Sequence, residues 1–262
     1  DRFFVKAVFF TAIVILFNTL IDLNNPFSLV IKTLQWYAYL WFNMLKPRFR
    51  LIRLRLQNNI TERDACAHAA ARKWARTAIS ANGSLIKVTG IENIPLSGGV
   101  LFVSNHQSNF DIPILIGFVP RDKGFVAKVE LMKVPVFRMW MKALGCVIIN
   151  RNDARQSLQA LNLAAERLKH GHSLVIFPEG TRSNDGKLGH FKAGSLKLAL
   201  HAQVPIVPVT IKGSMNIMPK GTSLIKSAEV EVIISEPVLA GQHQGKDIHA
   251  VSEMVREIIR QN

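Results

Sequence analysis

From Leu85 onward the chain alternates short apolar runs with amphipathic stretches, and this alternation limits the possible fold more than any other feature. The apolar runs are Leu85 to Thr89, Val100 to Val103, Gly124 to Ala127, Cys146 to Ile149, Leu174 to Phe177, Ile206 to Ile211 and Val230 to Ile234. Each has the length of a strand. Helical patterns lie between several of them: Ile112 to Phe118, Val134 to Leu144, Asp153 to Lys169 and Ala193 to Ala202, followed later by Ile248 to Arg260. In the clearest helix, Leu158, Leu161, Ala165 and Leu168 recur at three- and four-residue steps, which predicts one buried face. Strands interleaved with helices predict an α/β layer fold, whose ligand sites gather on loops beyond the strand ends. An Ala- and Arg-rich helix is predicted over 61–82, with Thr61 as N-cap and Gly83 just past its end.

Two strand-end loops carry polar residues of the kinds that do chemistry. "SNHQSNFD" (Ser104 to Asp111) follows one apolar run, and "PEGTRSNDG" (Pro178 to Gly186) follows another. Histidine takes a proton near neutral pH, and a nearby carboxylate fixes its tautomer and stabilises the imidazolium. With Pro113 in a first helical turn, the helix starts at Asp111 or Ile112, and the intervening loop can bring the Asp111 carboxylate to His106 Nδ1. A loop histidine bonded to backbone and an N-capping aspartate would account for the same residues. Arg182, a rigid fork of donors at a strand end, suits a phosphate, although a solvated arginine would also fit there.

Missing motifs narrow the chemistry. There is no G-x-S-x-G elbow, no phosphate-binding P-loop, no G-x-G-x-x-G, no H-E-x-x-H and no Cys/His cluster. A His–Asp pair without a protein nucleophile suits a reaction in which the substrate supplies the attacking hydroxyl. Cys66 and Cys146 form neither a disulfide framework nor a metal spacing, which points to a reducing compartment.

The 262 residues carry a formal charge of +15, which implies an anionic partner: phospholipid headgroups, nucleic acid or a phosphorylated small molecule. The placement of the charge favours a membrane. "AVFFTAIVILFNTLI" (Ala7 to Ile21) is free of charge but shorter than the roughly 20 residues that span a bilayer. Asp22-Leu23-Asn24-Asn25-Pro26 follows it, with no small-residue cleavage pattern. The next segment, Phe27 to Leu45, is apolar and carries Trp36, Tyr37, Tyr39 and Trp41, types found at membrane interfaces. Lys46, Arg48, Arg50, Arg53 and Arg55 come directly after it without an acid. Basic residues flank the outer ends of the pair and not its turn, so both ends are placed on the cytoplasmic side, the inner membrane in a bacterium. Because Lys32 and Gln35 interrupt the second segment, the expected hairpin Phe3 to Leu45 dips into one leaflet. A buried helical hairpin of a soluble protein is the alternative. The predicted organisation is a membrane-associated hairpin and basic segment over 1–60 and a catalytic domain over 61–262.

Four blocks then carry a resemblance. "NHQSNFD" (Asn105 to Asp111) and "FPEGTRS" (Phe177 to Ser183) resemble the first and third motifs of the glycerolipid acyltransferases, in particular the 1-acylglycerol-3-phosphate acyltransferases. "KVEL" (Lys128 to Leu131) with "GCVIINR" (Gly145 to Arg151) resembles the second, and "VPIVPV" (Val204 to Val209) the fourth. The resemblance covers Val88 to Lys212 and implies a mixed sheet flanked by helices. It implies His106 as general base and Asp111 as its orienting partner. It further implies that Glu179, Gly180, Thr181 and Arg182 shape the acceptor site, with Arg182 on the phosphate and Lys128 and Arg151 as additional phosphate contacts. Many relatives carry Asp where this chain has Asn150, which leaves the surroundings of Arg151 less defined. The implied reaction moves an acyl group from acyl-CoA or acyl carrier protein to lysophosphatidic acid, giving phosphatidic acid, with no metal or bound cofactor and no nucleic acid. The alternatives are the same chemistry on another lysophospholipid or glycerol 3-phosphate, and a basic non-enzymatic protein that binds membranes or nucleic acid.

Overall fold

The computed structural model describes residues 26–57, 59–183, 185–239 and 247–262. The first predicted apolar segment, Ala7 to Ile21, lies outside the described residues. Seven strands form one sheet: β1 (Leu85–Thr89), β2 (Leu101–Ser104), β3 (Lys123–Lys128), β4 (Val147–Ile149), β5 (Ser173–Ile176), β6 (Ile206–Lys212) and β7 (Glu229–Ile234). Their order is β1-β7-β6-β2-β5-β3-β4. From β6 to β4 all neighbours run parallel, whereas β7 is antiparallel to β6 and carries β1 parallel to itself. The mixed sheet with flanking helices therefore stands as expected, and all seven predicted strands are present within a residue or two.

Burial explains the patterns. β2 and β5 are buried at every position, the signature of parallel strands covered on both faces, whereas edge strand β1 alternates. Leu101, Val103, Leu174, Ile176 and Ile206 face one layer of helices: α6 (Ala154–Lys169), α7 (Lys197–Ala202) and α9 (Ile248–Gln261). Phe102, Val175, Val207 and Val209 face the other way, toward α4 (Asp111–Phe118) and α3 (Ile60–Ala81). The remaining helices are α1 (Pro26–Leu45), α2 (Arg48–Leu56), α5 (Pro135–Ala143) and the single turn α8 (Ser214–Ile217).

Three local expectations are corrected. Asn59, not Thr61, caps α3: its side chain accepts from the Glu62 N–H and donates to the Glu62 carboxylate, a reciprocal cap. On α6 the buried stripe is Ala160, Ala164, Ala165 and Leu168, and Leu158 points outward because it lies about 120° from Ala164 around the helix. The predicted helix Ala193 to Ala202 begins as a 3₁₀ turn over Ala193–Ser195, where the Gly194–Ser195 pair disfavours a full α-turn.

α1 is docked on the domain. Trp36 Nε1 donates to the Ala78 carbonyl at 2.8 Å and its ring meets Phe110 at 5.2 Å. Thr33 Oγ1 accepts from the Ile225 N–H, and Met44 is buried against Trp140 with Ala67 and Ala71. Three of the four aromatics expected at a membrane interface are thus packed on the protein: Trp36 and Tyr37 against the core, and Trp41 stacked on Phe137 with ring centroids 5.8 Å apart. Other residues turn outward: Leu34 (63% exposed), Phe42 (56%), Phe49 (81%) and Leu56 (83%). No helix among the described residues is long and apolar enough to cross a membrane.

At the amino end of β3, Lys123 is 4% exposed, and its ammonium donates to the Leu115 and Val119 carbonyls at the end of α4. Burial, with the Arg72 charge adding to it, pushes Lys123 down from 10.5 to about 7. Between those values the unfolded chain holds more protons than the folded one, so stability rises with pH across that window. Lys123→Met removes this contribution. Denaturant midpoints at pH 6.5 and 9.5 are expected to rise more with pH in the parent than in the variant, and equal slopes would refute the assignment.

Candidate active site

The carboxyl ends of five parallel strands point to one edge of the sheet, and each delivers a polar residue there. β2 leads into the His106 loop, β5 into Glu179 to Arg182, β6 into Ser214, β3 ends at Lys128, and β4 runs out two residues before Arg151. In open α/β sheets the crevice outside these ends is where ligands bind.

The His106 loop is fastened before it begins to turn. Asn105 exchanges two hydrogen bonds with the Ile211 backbone, both 2.8 Å, continuing the β2–β6 pairing with a side chain. Ser108 Oγ donates to the Met218 carbonyl, and the Asp111 N–H donates to the Ser108 carbonyl. The resulting turn aims the Asp111 carboxylate backward into the loop. As expected, the helix starts at Asp111 with Pro113 in its first turn.

Asp111 is fully buried, and its carboxylate is met by four donors. Oδ2 accepts from His106 Nδ1 at 2.7 Å, from the Gln107 N–H at 2.7 Å and from the Ser108 N–H at 2.9 Å. Oδ1 accepts from the Ser214 hydroxyl. An acceptor-only carboxylate is what four converging donors require, so Nδ1 of His106 carries the proton and Nε2 is left as the basic nitrogen. The imidazole stacks on Phe177, ring centroids 4.1 Å apart and planes 17° from parallel, which fixes its orientation. Nε2 makes no hydrogen bond to another described residue.

Glu179 couples the second loop to the first. Its Oε1 accepts from the His106 N–H at 2.8 Å and its Oε2 from the Gly189 N–H at 2.9 Å, while the Ser183 N–H donates to the His106 carbonyl. Burial pushes the Glu179 carboxyl above the usual range, against the pull of those two backbone bonds. Its carboxylate is spent on holding the loops, so it shapes the site through position.

Cations crowd the same edge. Gly180 has φ +76, and a Cβ there would come within 3.3 Å of Lys192 Nζ and 3.5 Å of an Arg151 nitrogen. Arg151 donates to the Gly180 carbonyl and Lys220 to the Arg182 carbonyl. Among the described residues no carboxylate pairs with Lys128, Arg151, Arg182 or Lys192. Thr181 is exposed beside them. Like charges gathered without a counter-charge are costly unless an anion joins them. The structure thus places all eight predicted site residues along one edge, and links His106, Asp111, Glu179, Gly180 and Arg151 by direct contacts.

Sequence reasoning missed Ser214, Asn105 and Lys192. Ser214 follows Gly213, whose φ of +88 and close approach to the Glu229 carbonyl exclude a side chain. "KGS" after an apolar strand was the available signal. Two buried polar atoms beside the histidine, Gln107 Oε1 and Ser183 Oγ, have no partner among the described residues. No group of three or more His, Cys, Asp or Glu among the described residues is arranged to hold a metal ion.

The family model for Acyltransferase matches residues 85–212. The crystal structure of the 1-acyl-sn-glycerophosphate acyltransferase from Thermotoga maritima superposes with a TM-score of 0.80 at 32% identity, covering 90% of this chain and 94% of that one. The chain belongs to the acyltransferase family. Among other relatives, the chloroplastic 1-acyl-sn-glycerol-3-phosphate acyltransferase of Brassica napus is 38% identical over 173 residues, 65% of this chain and 50% of its own length. That of Borreliella burgdorferi is 35% identical over 138 residues, 53% of this chain and 55% of its own. The chain thus spans about half the length of these two relatives.

A general-base role for this pair is tested by His106→Ala and Asp111→Asn, which are expected to lower acyl transfer by about 10² to 10⁴, the usual worth of such a base. Ser214→Ala strands one buried carboxylate oxygen, which typically costs about 1 to 3 kcal/mol. It should lower kcat with KM little changed, whereas Ser214→Thr should restore part of the rate. Steady-state kinetics on folded variants checks all four.

Proposed function

We propose that this chain transfers a fatty acyl group from a thioester carrier, acyl-CoA or acyl carrier protein, to the free hydroxyl of lysophosphatidic acid, giving phosphatidic acid. The observation that carries the proposal is the His106–Asp111 pair, 2.7 Å apart, whose outer nitrogen has no protein hydroxyl or thiol to activate among the described residues. The proton it takes therefore belongs to a substrate. Nε2 removes the proton of the acceptor hydroxyl as that oxygen attacks the thioester carbonyl, forming the tetrahedral intermediate. The C–S bond then breaks, and Nε2–H returns the proton to the departing thiolate. Asp111 stays a carboxylate throughout and stabilises the imidazolium. The thioester brings its own activation, so no cofactor step is invoked.

The acceptor phosphate is assigned to the carboxylate-free cations at the strand ends: Arg182, with Lys128, Arg151 and Lys192. A monoester phosphate fits such a ring better than a headgroup-bearing diester, which has less charge and more bulk. The names of the relatives support this acceptor, since they specify 1-acyl-sn-glycerol-3-phosphate.

The outward apolar residues on α1 and α2, set among Lys46, Arg50 and Arg53, support a catalytic domain resting on the cytoplasmic face of a membrane. The described part of the proposed 1–60 membrane unit would lie with Leu34, Phe42, Phe49 and Leu56 in the leaflet, exposed apolar groups beside cations that attract anionic lipid. The acceptor could then be drawn up without leaving the interface.

Purified protein offered a panel of lyso-acceptors with both donor types, products read by mass spectrometry, tests the reading. Turnover is expected to be greatest on lysophosphatidic acid, and a preference for a headgroup-bearing acceptor would overturn it. Arg182→Ala and Lys192→Ala should each raise KM for this acceptor by at least tenfold and leave KM for the donor nearly unchanged. Losing one partner of a desolvated charge pair costs on the order of 2 to 5 kcal/mol. Because α1 packs on the core, the membrane test substitutes outward residues. Phe49→Glu with Leu56→Glu should reduce liposome flotation while leaving activity on dispersed acceptor intact, and unchanged flotation would exclude this face as the anchor.

A further inference from the structure

Away from the His106 site, α1, α2, α3 and α5 enclose an open groove of about 520 Å³. It shares no residue with the cation cluster or the catalytic pair. Its floor is apolar, formed by Leu45 and Ile52 on one side and Val136, Met139 and Ala143 of α5 on the other. Among the described residues its remaining polar lining is cationic: Arg63, Arg138 and Lys142, with no acidic residue. Arg63 is held by Asp64 at 2.7 Å. Arg138 and Lys142 are exposed, and among the described residues neither has a carboxylate partner.

We infer that this groove is a binding site for an anionic phospholipid, one acyl chain lying along Leu45, Ile52, Val136 and Met139 and the phosphate between Arg138 and Lys142. Three observations select this occupant. A volume of about 520 Å³ lies within the usual range of ligand sites, and an apolar trough is what a hydrocarbon chain requires. Two open cations without an acid complement a phosphate, and they would repel the ammonium that a zwitterionic choline headgroup carries beside its phosphate. Leu45 (38% exposed) and Ile52 (42%) also belong to the outward apolar strip that continues to Phe49 and Leu56, so the mouth of the groove opens where lipid would be at hand. The last argument rests on the membrane-facing reading of α1 and α2, whereas the first two do not.

The role that follows is retention and orientation. A lipid gripped at the α1–α5 seam would fix the domain on the leaflet at a point separate from the diffuse attraction of the basic residues of α2. It would also make residence on the membrane selective for anionic lipid.

Dioctanoyl phosphatidylglycerol and dioctanoyl phosphatidylcholine, both below their micellar concentrations, provide the binding probes, with glycerophosphoglycerol as a chainless control. Titration calorimetry on the full chain is expected to show saturable binding of the anionic lipid. The choline lipid should bind at least tenfold more weakly and the chainless control not measurably. Arg138→Gln with Lys142→Gln should weaken the anionic lipid at least tenfold, and Ala143→Trp, which fills the trough, should weaken both lipids. Arg50→Gln with Arg53→Gln removes the same charge outside the groove and should change this binding less than twofold. Equal weakening by both double variants would mean diffuse attraction and overturn the site, as would equal binding of the two lipids. His106→Ala should bind as the parent does, as should Arg182→Gln with Lys192→Gln, and weakening by that pair to the extent seen for Arg138→Gln with Lys142→Gln would place the probe in the catalytic site and likewise overturn the proposal. Because no turnover is measured, failure of the proposed acyl transfer would leave this result standing. Loss of flotation in the Phe49→Glu, Leu56→Glu variant is read separately.

Discussion

A carboxylate with no exposed surface must be met by donors from every side or it cannot stay charged, and Asp111 is such a group. Its four donors come from two places in the chain: the His106 ring and two amides of the same loop, and a hydroxyl more than a hundred residues later. The loop amides cannot reach Oδ2 unless the chain turns tightly between His106 and Asp111. The Ser214 hydroxyl cannot reach Oδ1 unless β6 lies beside β2 and Gly213 makes its left-handed turn. The imidazole is thus oriented by a carboxylate that is itself held by the sheet. Much of the conformation around it, including the Asn105 bonds to Ile211 and the Ser108 bond to Met218, follows from keeping that one group satisfied.

The same geometry explains why a glutamate and several cations coexist at the sheet edge without neutralising one another. Glu179 is turned inward onto two backbone amides, which fastens the second loop to the first and removes its charge from the cations. Gly180, next in sequence, takes a left-handed backbone conformation that favours glycine, and Lys192 and Arg151 lie beside it. Adjacent residues therefore divide the work between holding the loop and leaving room for an anion. Parallel strands make this economical, since every carboxyl end reaches the same edge and short loops suffice.

The amino-terminal helix pair uses its apolar residues twice. Trp36, Tyr37 and Met44 complete the core against α3 and α5, while Leu34, Phe42, Phe49 and Leu56 face outward among cations. A helix can do both because its faces alternate every few residues. The face turned to the domain keeps α1 rigid with respect to the catalytic loops, so whatever the outward face rests on is placed at a set distance from His106.

Much of this was legible in the amino-acid sequence alone. The seven strands could be read because buried parallel strands are continuous apolar runs and the loops between them are polar, a contrast that survives without any knowledge of partners. His106 and Asp111 could be paired because the contacts between them are local, and the four ordered blocks identified the family. What local pattern could not reach was anything set by contacts between distant segments. Ser214 meets Asp111 only through the pairing of β6 with β2, and Lys192 meets Gly180 only because the chain returns past Pro178. Leu158 faces solvent although it fits a helical stripe, and Trp36 faces Phe110 although it is an interfacial residue type. The order of strands, the inward turn of Glu179 and the face that α1 shows to the domain are decided by packing, because burial and hydrogen-bond satisfaction are properties of the assembled chain rather than of any one segment.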